Sequence, residues 1–345
     1  MTEQDPTGFL TTTYTVETIQ QTTAGSSMAS STSLGVDFYF RCAVLVIGVV
    51  GTAANALILY AMVASGEHKK RVLIFNQNAL DFASCFFLVV TYAFKLCNVY
   101  LTGTSGYWLC VTLRGESLFW SPVLGSTLNL ASVTIERYLK IVHNVRSKIW
   151  LRRWVIYMAS AFAWIGSATV VVGVAISTAF VVDGVCYANV FRENSEAQLA
   201  FGIWYFMSFE VVILAIFIFC YWRILVVVRR QAKAMASHQE AGPSTSQASQ
   251  LTKNQSNVMK TMSIVTVFFT VSWTPVNVHF LVQINPPNAS LFGITYYPLL
   301  FIAFLYICTN PFIYAIKFEP VKRVLLGLIP WKKNTVQPIE NIEVT

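Results

Sequence analysis

Charge is what this chain has least of. Only 12% of its 345 residues are Asp, Glu, Lys or Arg, against 55% hydrophobic, too little charge to clothe a soluble domain. That excludes a soluble enzyme, and no set of metal ligands or of nucleophile and base is present to argue for catalysis. The apolar runs also lack the ten-residue alternation of barrel strands, which excludes a barrel. The two halves show no convincing self-similarity, which weighs against a seven-span transporter or channel, the main competing class. No cationic start followed by a short apolar core is found, so the first span is expected to act as its own insertion signal.

What is present is seven apolar runs, about 38–64, 73–97, 108–139, 154–180, 198–228, 259–284 and 294–316. Each is near the length of about 20 residues with which a helix crosses a bilayer. The fold class expected is an all-α membrane protein, a seven-transmembrane helix bundle. Basic residues crowd the odd-numbered connections (Lys69, Lys70, Arg71; Lys140, Arg146, Lys148, Arg152, Arg153; Arg229, Arg230, Lys233, Lys253) and follow the seventh run. By the positive-inside rule the N-terminus is extracellular and the C-terminus cytoplasmic, in the plasma membrane. The net charge of +8 then reflects topology and contact with anionic membrane lipid, and needs no nucleic-acid partner.

Residues 1–37, polar and Ser/Thr-rich, are expected to be a disordered extracellular tail, and 38–317 the seven-span bundle with a third inner loop at about 229–257. Ala241 to Ser246 is its least structured part and a phosphorylation substrate by composition. Phe318, Val321, Val324, Leu325 and Leu328 recur at helical spacing opposite Lys317, Lys322 and Arg323, which predicts an amphipathic surface helix over 318–330 before a tail of 331–345. Seven cysteines are present, and only Cys110 and Cys186 lie where an oxidising face would reach them, so a disulfide is expected between them. Asn288-Ala289-Ser290 is a glycosylation sequon on the outer side.

Polar groups inside the spans carry the functional argument. Glu136-Arg137-Tyr138 closes the third run, where the charged pair reads either as a functional contact or as a marker of the membrane edge. Asp81 lies deep in the second span and needs a cation, a proton or several donors. Glu210 sits mid-span in the fifth, either bonded to Asn277 for structure or facing a ligand. Pro275 is expected to kink the sixth span, and the long third span to tilt strongly.

Taken together, Asn55, Leu80-Asp81, Glu136-Arg137-Tyr138, Trp164, Tyr221, Trp273-Thr274-Pro275 and Asn310-Pro311-Phe312-Ile313-Tyr314, one motif per span and in order, resemble the rhodopsin-like (class A) G-protein-coupled receptors over about 38–328. The resemblance implies a receptor that binds an extracellular ligand and activates a heterotrimeric G protein as the sixth span swings outward about Pro275. It implies receptor kinase and arrestin as further partners. Arg137 would be held at rest by Glu136 and turn toward Tyr221 and Tyr314 when active. Asp81, Ser126 and Asn310, with Asn55 nearby, resemble the family's sodium pocket, sodium being an allosteric ligand and the chain needing no other cofactor or metal.

The departures from the family matter as much. Cys110 lies two residues further from Arg137 than the family's spacing, so the outer end of the third span is expected to be altered or the disulfide shifted. Ile213 replaces the proline usual in the fifth span, and Asn144 the one usual in the second inner loop. Gln255 stands where an acid often locks Arg137, which predicts raised basal signalling; a non-coupling receptor homologue is a further alternative. No acid occupies 117–119, where an amine ligand needs one, and Phe304 replaces an opsin's lysine. Candidate pocket residues are Glu210, Asn277, His279, Gln283, Lys95, Glu116 and Phe119, a mixed-charge entrance that suits a peptide better than an amine or a lipid.

Overall fold

A computed structural model describes residues 25–97, 99–188, 195–238, 246–283 and 293–328. The side chains of Gln255 and Gln283, and Asn288 as a whole, lie outside the described residues. The chain forms two units, residues 1–41 and 42–345. In the first, helix α1 (Gly25–Ala64) begins ahead of the position near 38 expected for the first span, and Asp37 pairs with Arg41 at 2.6 Å one turn on.

Among the described residues, seven helices are long and apolar enough to cross a membrane, at 35–64, 72–96, 103–142, 153–178, 196–230, 263–282 and 296–316. The largest departure from the expected bounds is the start of the third, 103 against 108. After α1, Gly66 at φ 70° turns the chain into the short α2 (Glu67–Lys70), and α3 (Val72–Leu96) comes next. Gly51 sits where a Cβ would come within 2.7 Å of the Cys85 and Cys308 sulfurs, so its missing side chain lets α1 approach its neighbours.

The third span is not one helix. α4 (Gly103–Leu109) runs into a π-turn at Cys110–Arg114, closed by the Gly115 N–H donating to the Cys110 carbonyl at 2.7 Å. Glu116 then takes a left-handed φ of 58° before α5 (Ser117–Val142). The extra length between Cys110 and Arg137 is absorbed in this turn and break. Cys110 still reaches Cys186, with their Cα atoms 5.5 Å apart and the disulfide formed. α5 is the centre of the bundle, packing against α3, against α7 (Arg153–Thr178) and against the fifth span.

A short α6 (Asn144–Trp150) precedes α7, and α7 leads into an antiparallel hairpin, β1 (Phe180–Val182) and β2 (Val185–Tyr187), that pairs Val181 with Cys186. No strand was expected. Asp183 at φ 50° and Gly184 at φ 76° form the two-residue turn that Asp-Gly between β-branched residues specifies. The fifth span is α8 (Ser195–Phe206), a π-turn at Met207–Val211, and α9 (Val212–His238). α10 (Ser246–Gln283) and α11 (Gly293–Lys317) pack together, with Pro275 and Pro311 inside them, and α12 (Glu319–Gly327) ends the described chain with Phe318 and Val321 buried and Lys322 and Arg323 exposed.

Candidate functional site

Most of the polar groups singled out in the spans gather in three clusters. The deepest surrounds Asp81, which is fully buried. Ser126 Oγ donates to its Oδ1 at 2.7 Å, Gln77 Nε2 to the same oxygen at 3.3 Å, and Asn310 Nδ2 to its Oδ2 at 3.0 Å. Gln77 Nε2 also bonds Ser126 Oγ. The structure therefore brings Asp81, Ser126 and Asn310 together. Asn55 is buried nearby in the bundle but spends its amide on the Gly51 carbonyl at 3.0 Å and the Cys85 sulfur at 3.6 Å.

From Gln77 the cluster extends sideways. Asn129 Nδ2 donates to Gln77 Oε1 at 2.8 Å and to the Leu73 carbonyl at 3.0 Å, Asn76 Nδ2 donates to Asn129 Oδ1 at 2.9 Å, and Trp164 Nε1 donates to Asn76 Oδ1 at 2.9 Å. Sequence reasoning missed Gln77 and Asn76 as members. The available signal was three consecutive amides, Asn76-Gln77-Asn78, in an apolar run that offers them no water.

The second cluster is at the C-terminal end of α5. Glu136 is 7% exposed and lies 2.5 Å from Lys140 and 3.6 Å from Arg137. Arg137 Nε is buried without a hydrogen bond, as is the Tyr314 hydroxyl. Tyr221 bonds Thr266 on α10 at 2.9 Å, and Tyr138 bonds His143 at 3.1 Å. Glu136, Arg137, Tyr221 and Tyr314 thus share one end of the bundle, with the first of them holding Arg137.

The third is a cavity of about 420 Å³ between the spans, lined by Lys95, Arg114, Glu116, Trp120, Tyr205, Phe209, Phe269, Trp273, Asn277 and Tyr296 among others. Glu116 pairs with Lys95 and accepts from Trp120 Nε1 at 2.8 Å, so the break in the third span is what turns this carboxylate inward. Trp120 meets Trp273 edge-on at 6.0 Å between ring centroids, and Trp273 tilts against Phe269 at 6.3 Å. An aromatic wall therefore runs from the cavity into α10 beside Pro275.

Of the pocket candidates, Lys95, Glu116 and Asn277 line this cavity. Three others are spent on packing. Glu210, 2% exposed, accepts from Thr274 at 2.5 Å and Asn277 at 2.7 Å, tying the fifth span to α10. Phe119 is fully buried against Trp120 and Phe304, and His279 is buried against Tyr296. The π-turn at 207–211 and the break at Glu116 rotate the helix faces, which straight-helix spacing does not anticipate.

Comparison with known proteins adds the family. The family model described as 7 transmembrane receptor (rhodopsin family) matches residues 54–314. The chain is 25% identical over 331 residues to melatonin receptor type 1C of Xenopus laevis, covering 91% of this chain and 72% of that one. It is 24% identical over 290 residues to somatostatin receptor type 5 of Rattus norvegicus, covering 78% and 72%, and 23% identical over 314 residues to galanin receptor type 1 of the same species, covering 84% and 82%. In fold it is similar to squid rhodopsin, with a TM-score of 0.69 at 15% identity over 90% of this chain and 93% of that one. Matched from the last third of its first span to nearly the end of its seventh, the chain belongs to the rhodopsin family of seven-transmembrane receptors, the class A G-protein-coupled receptors, and is a multi-pass membrane protein.

Proposed function

We propose that this receptor binds an extracellular peptide at the cavity between its spans and activates a heterotrimeric G protein through outward movement of α10. The observation that carries this is the wall itself: Glu116 and Lys95 at one side, then Trp120 of α5 in ring contact with Trp273 of α10, and Trp273 with Phe269 on the same helix. A ligand that displaces Trp120 acts on Trp273, next to Pro275, the one residue of that turn with no N–H to hold the helix. For this to be a switch, the ligand must bind the active arrangement more tightly. A cavity of about 420 Å³ takes one or two side chains of a peptide, and Arg114, Lys95 and Glu116 offer both signs of charge to the rest. The relatives named for somatostatin and galanin support the same ligand class.

In this reading the disulfide end of the bundle faces outward, with Asn288 glycosylated there, and the Glu136-Arg137 end faces the cytosol. The serines and threonines of Ser244 to Ser246 serve receptor kinase and arrestin. Surface-expressed receptor screened against peptide, amine and lipid libraries with a panel of G-protein sensors tests it. A peptide response is expected. A response confined to amines or lipids overturns the ligand class, and binding without any coupling favours a silent receptor.

A further inference from the structure

The hydrogen bonds around Asp81 have a polarity that two fixed groups impose. Indole nitrogen only donates, so Trp164 Nε1 sets Asn76 with its oxygen toward the ring and its amide toward Asn129 Oδ1. A backbone carbonyl only accepts, so the Leu73 oxygen draws Asn129 Nδ2 toward itself, and that same nitrogen donates to Gln77 Oε1. Both constraints fix Asn129 the same way round, with its oxygen spent on Asn76. Gln77 is then left one orientation, with Oε1 on Asn129 and both amide hydrogens turned to Asp81 Oδ1 and Ser126 Oγ. Reversing it would set its oxygen against the carboxylate and its amide against that of Asn129.

Those two oxygens are the ones a cation at Asp81 would need. Partly positive amide hydrogens occupy their approach, and the carboxylate already accepts from Ser126, Gln77 and Asn310. The residues present do not fit a sodium ion at that position. We propose that the Gln77 carboxamide stands in for the cation, so that this receptor is held at Asp81 by an internal donor and is insensitive to sodium. Gln77 is then the residue that decides whether the site takes an ion, and the Trp164-Asn76-Asn129 chain is what aims it. None of this depends on the class of ligand in the outer cavity.

The test is thermal unfolding of the purified full chain in detergent, in sodium chloride against choline chloride and potassium chloride at equal ionic strength. Wild type is expected to melt at the same temperature in all three salts. Gln77→Leu removes both amide hydrogens and is expected to gain a sodium-specific rise of about 3 °C or more, as a ligand bound only by the folded state produces. Gln77→Ala serves if the leucine variant does not express. A sodium-specific rise in wild type that Asp81→Asn abolishes overturns the proposal, and so does the absence of any rise in a folded Gln77 variant.

Discussion

Glu136 holds two cations at once, Lys140 at 2.5 Å and Arg137 at 3.6 Å, while its own side chain is nearly buried. A pair so placed is screened less than one on the surface. Glu136→Gln keeps the shape and removes the charge, leaving Arg137 with a buried Nε and no acid beside it. Ligand-independent coupling at matched surface expression is expected to rise about fivefold, equivalent to ~1 kcal/mol taken from the resting state; a fall or no change would sink the assignment of Glu136 as the brake. Residues of this kind were legible because a charge in an apolar run is conspicuous. Asp81 announced itself the same way, and its partners Ser126 and Asn310 came with the resemblance. Gln77 did not, since an uncharged amide between two others reads as a polar stripe until its neighbours are known. Glu210 was visible as a buried acid, but its direction was not: a π-turn adds a residue to the turn and rotates the rest of the helix by about 100°.

Among the elements, the broken third span has the sharpest consequence. Glu116 at φ 58° occupies a conformation that costs an ordinary residue about 1–2 kcal/mol and a β-branched one more. Its bonds to Lys95 and Trp120 offset that. Glu116→Val combines the lost bonds with a side chain unsuited to the turn and is expected to lower the melting temperature most. Glu116→Gly loses the bonds but relaxes the backbone and is expected to fall between valine and wild type; the opposite order would show that the turn is not strained. The surplus spacing from Cys110 pointed to this region, yet spacing alone could not say whether the helix or the disulfide gave way. The short α2 makes a smaller, pH-dependent contribution. Burial raises the Glu67 carboxyl, but hydrogen bonds and charge from Arg71 and Lys70 outweigh it and hold the pKa below the ordinary 4.5. A depressed folded value means the stabilisation is present above about pH 4.5 and lost as pH falls through the folded pKa. Melting curves from pH 7 to 3 are expected to show wild type and Glu67→Gln differing by at most about 1 kcal/mol at neutral pH and converging in acid. A constant gap would remove the carboxylate from the account.

At the scale of the molecule, the count of spans comes from composition, because a continuous apolar run has only one way to satisfy its backbone in lipid. How the helices meet does not, since lipid is as apolar as the side chains and supplies no drive to bury one face over another. Close approach at Gly51 and hydrogen bonds between spans decide it instead. One such connection runs from Trp164 on α7 through Asn76, Asn129 and Gln77 to Asp81 and on to Asn310 on α11, crossing the bundle by way of α3 and α5. Its outermost bond is the place to measure what it contributes. Trp164→Phe keeps an aromatic ring and deletes the N–H, leaving Asn76 Oδ1 buried without its donor, at an expected cost of about 1–3 kcal/mol and a lower melting temperature. Asn76→Leu alone strips the donor from Asn129 as well. The double variant removes both ends of the outer bond together, so its loss should be smaller than the sum of the two single losses. Strictly additive losses would mean that Trp164 rests on α3 by packing alone and that the polarity reaching Asp81 is set by the Leu73 carbonyl without it.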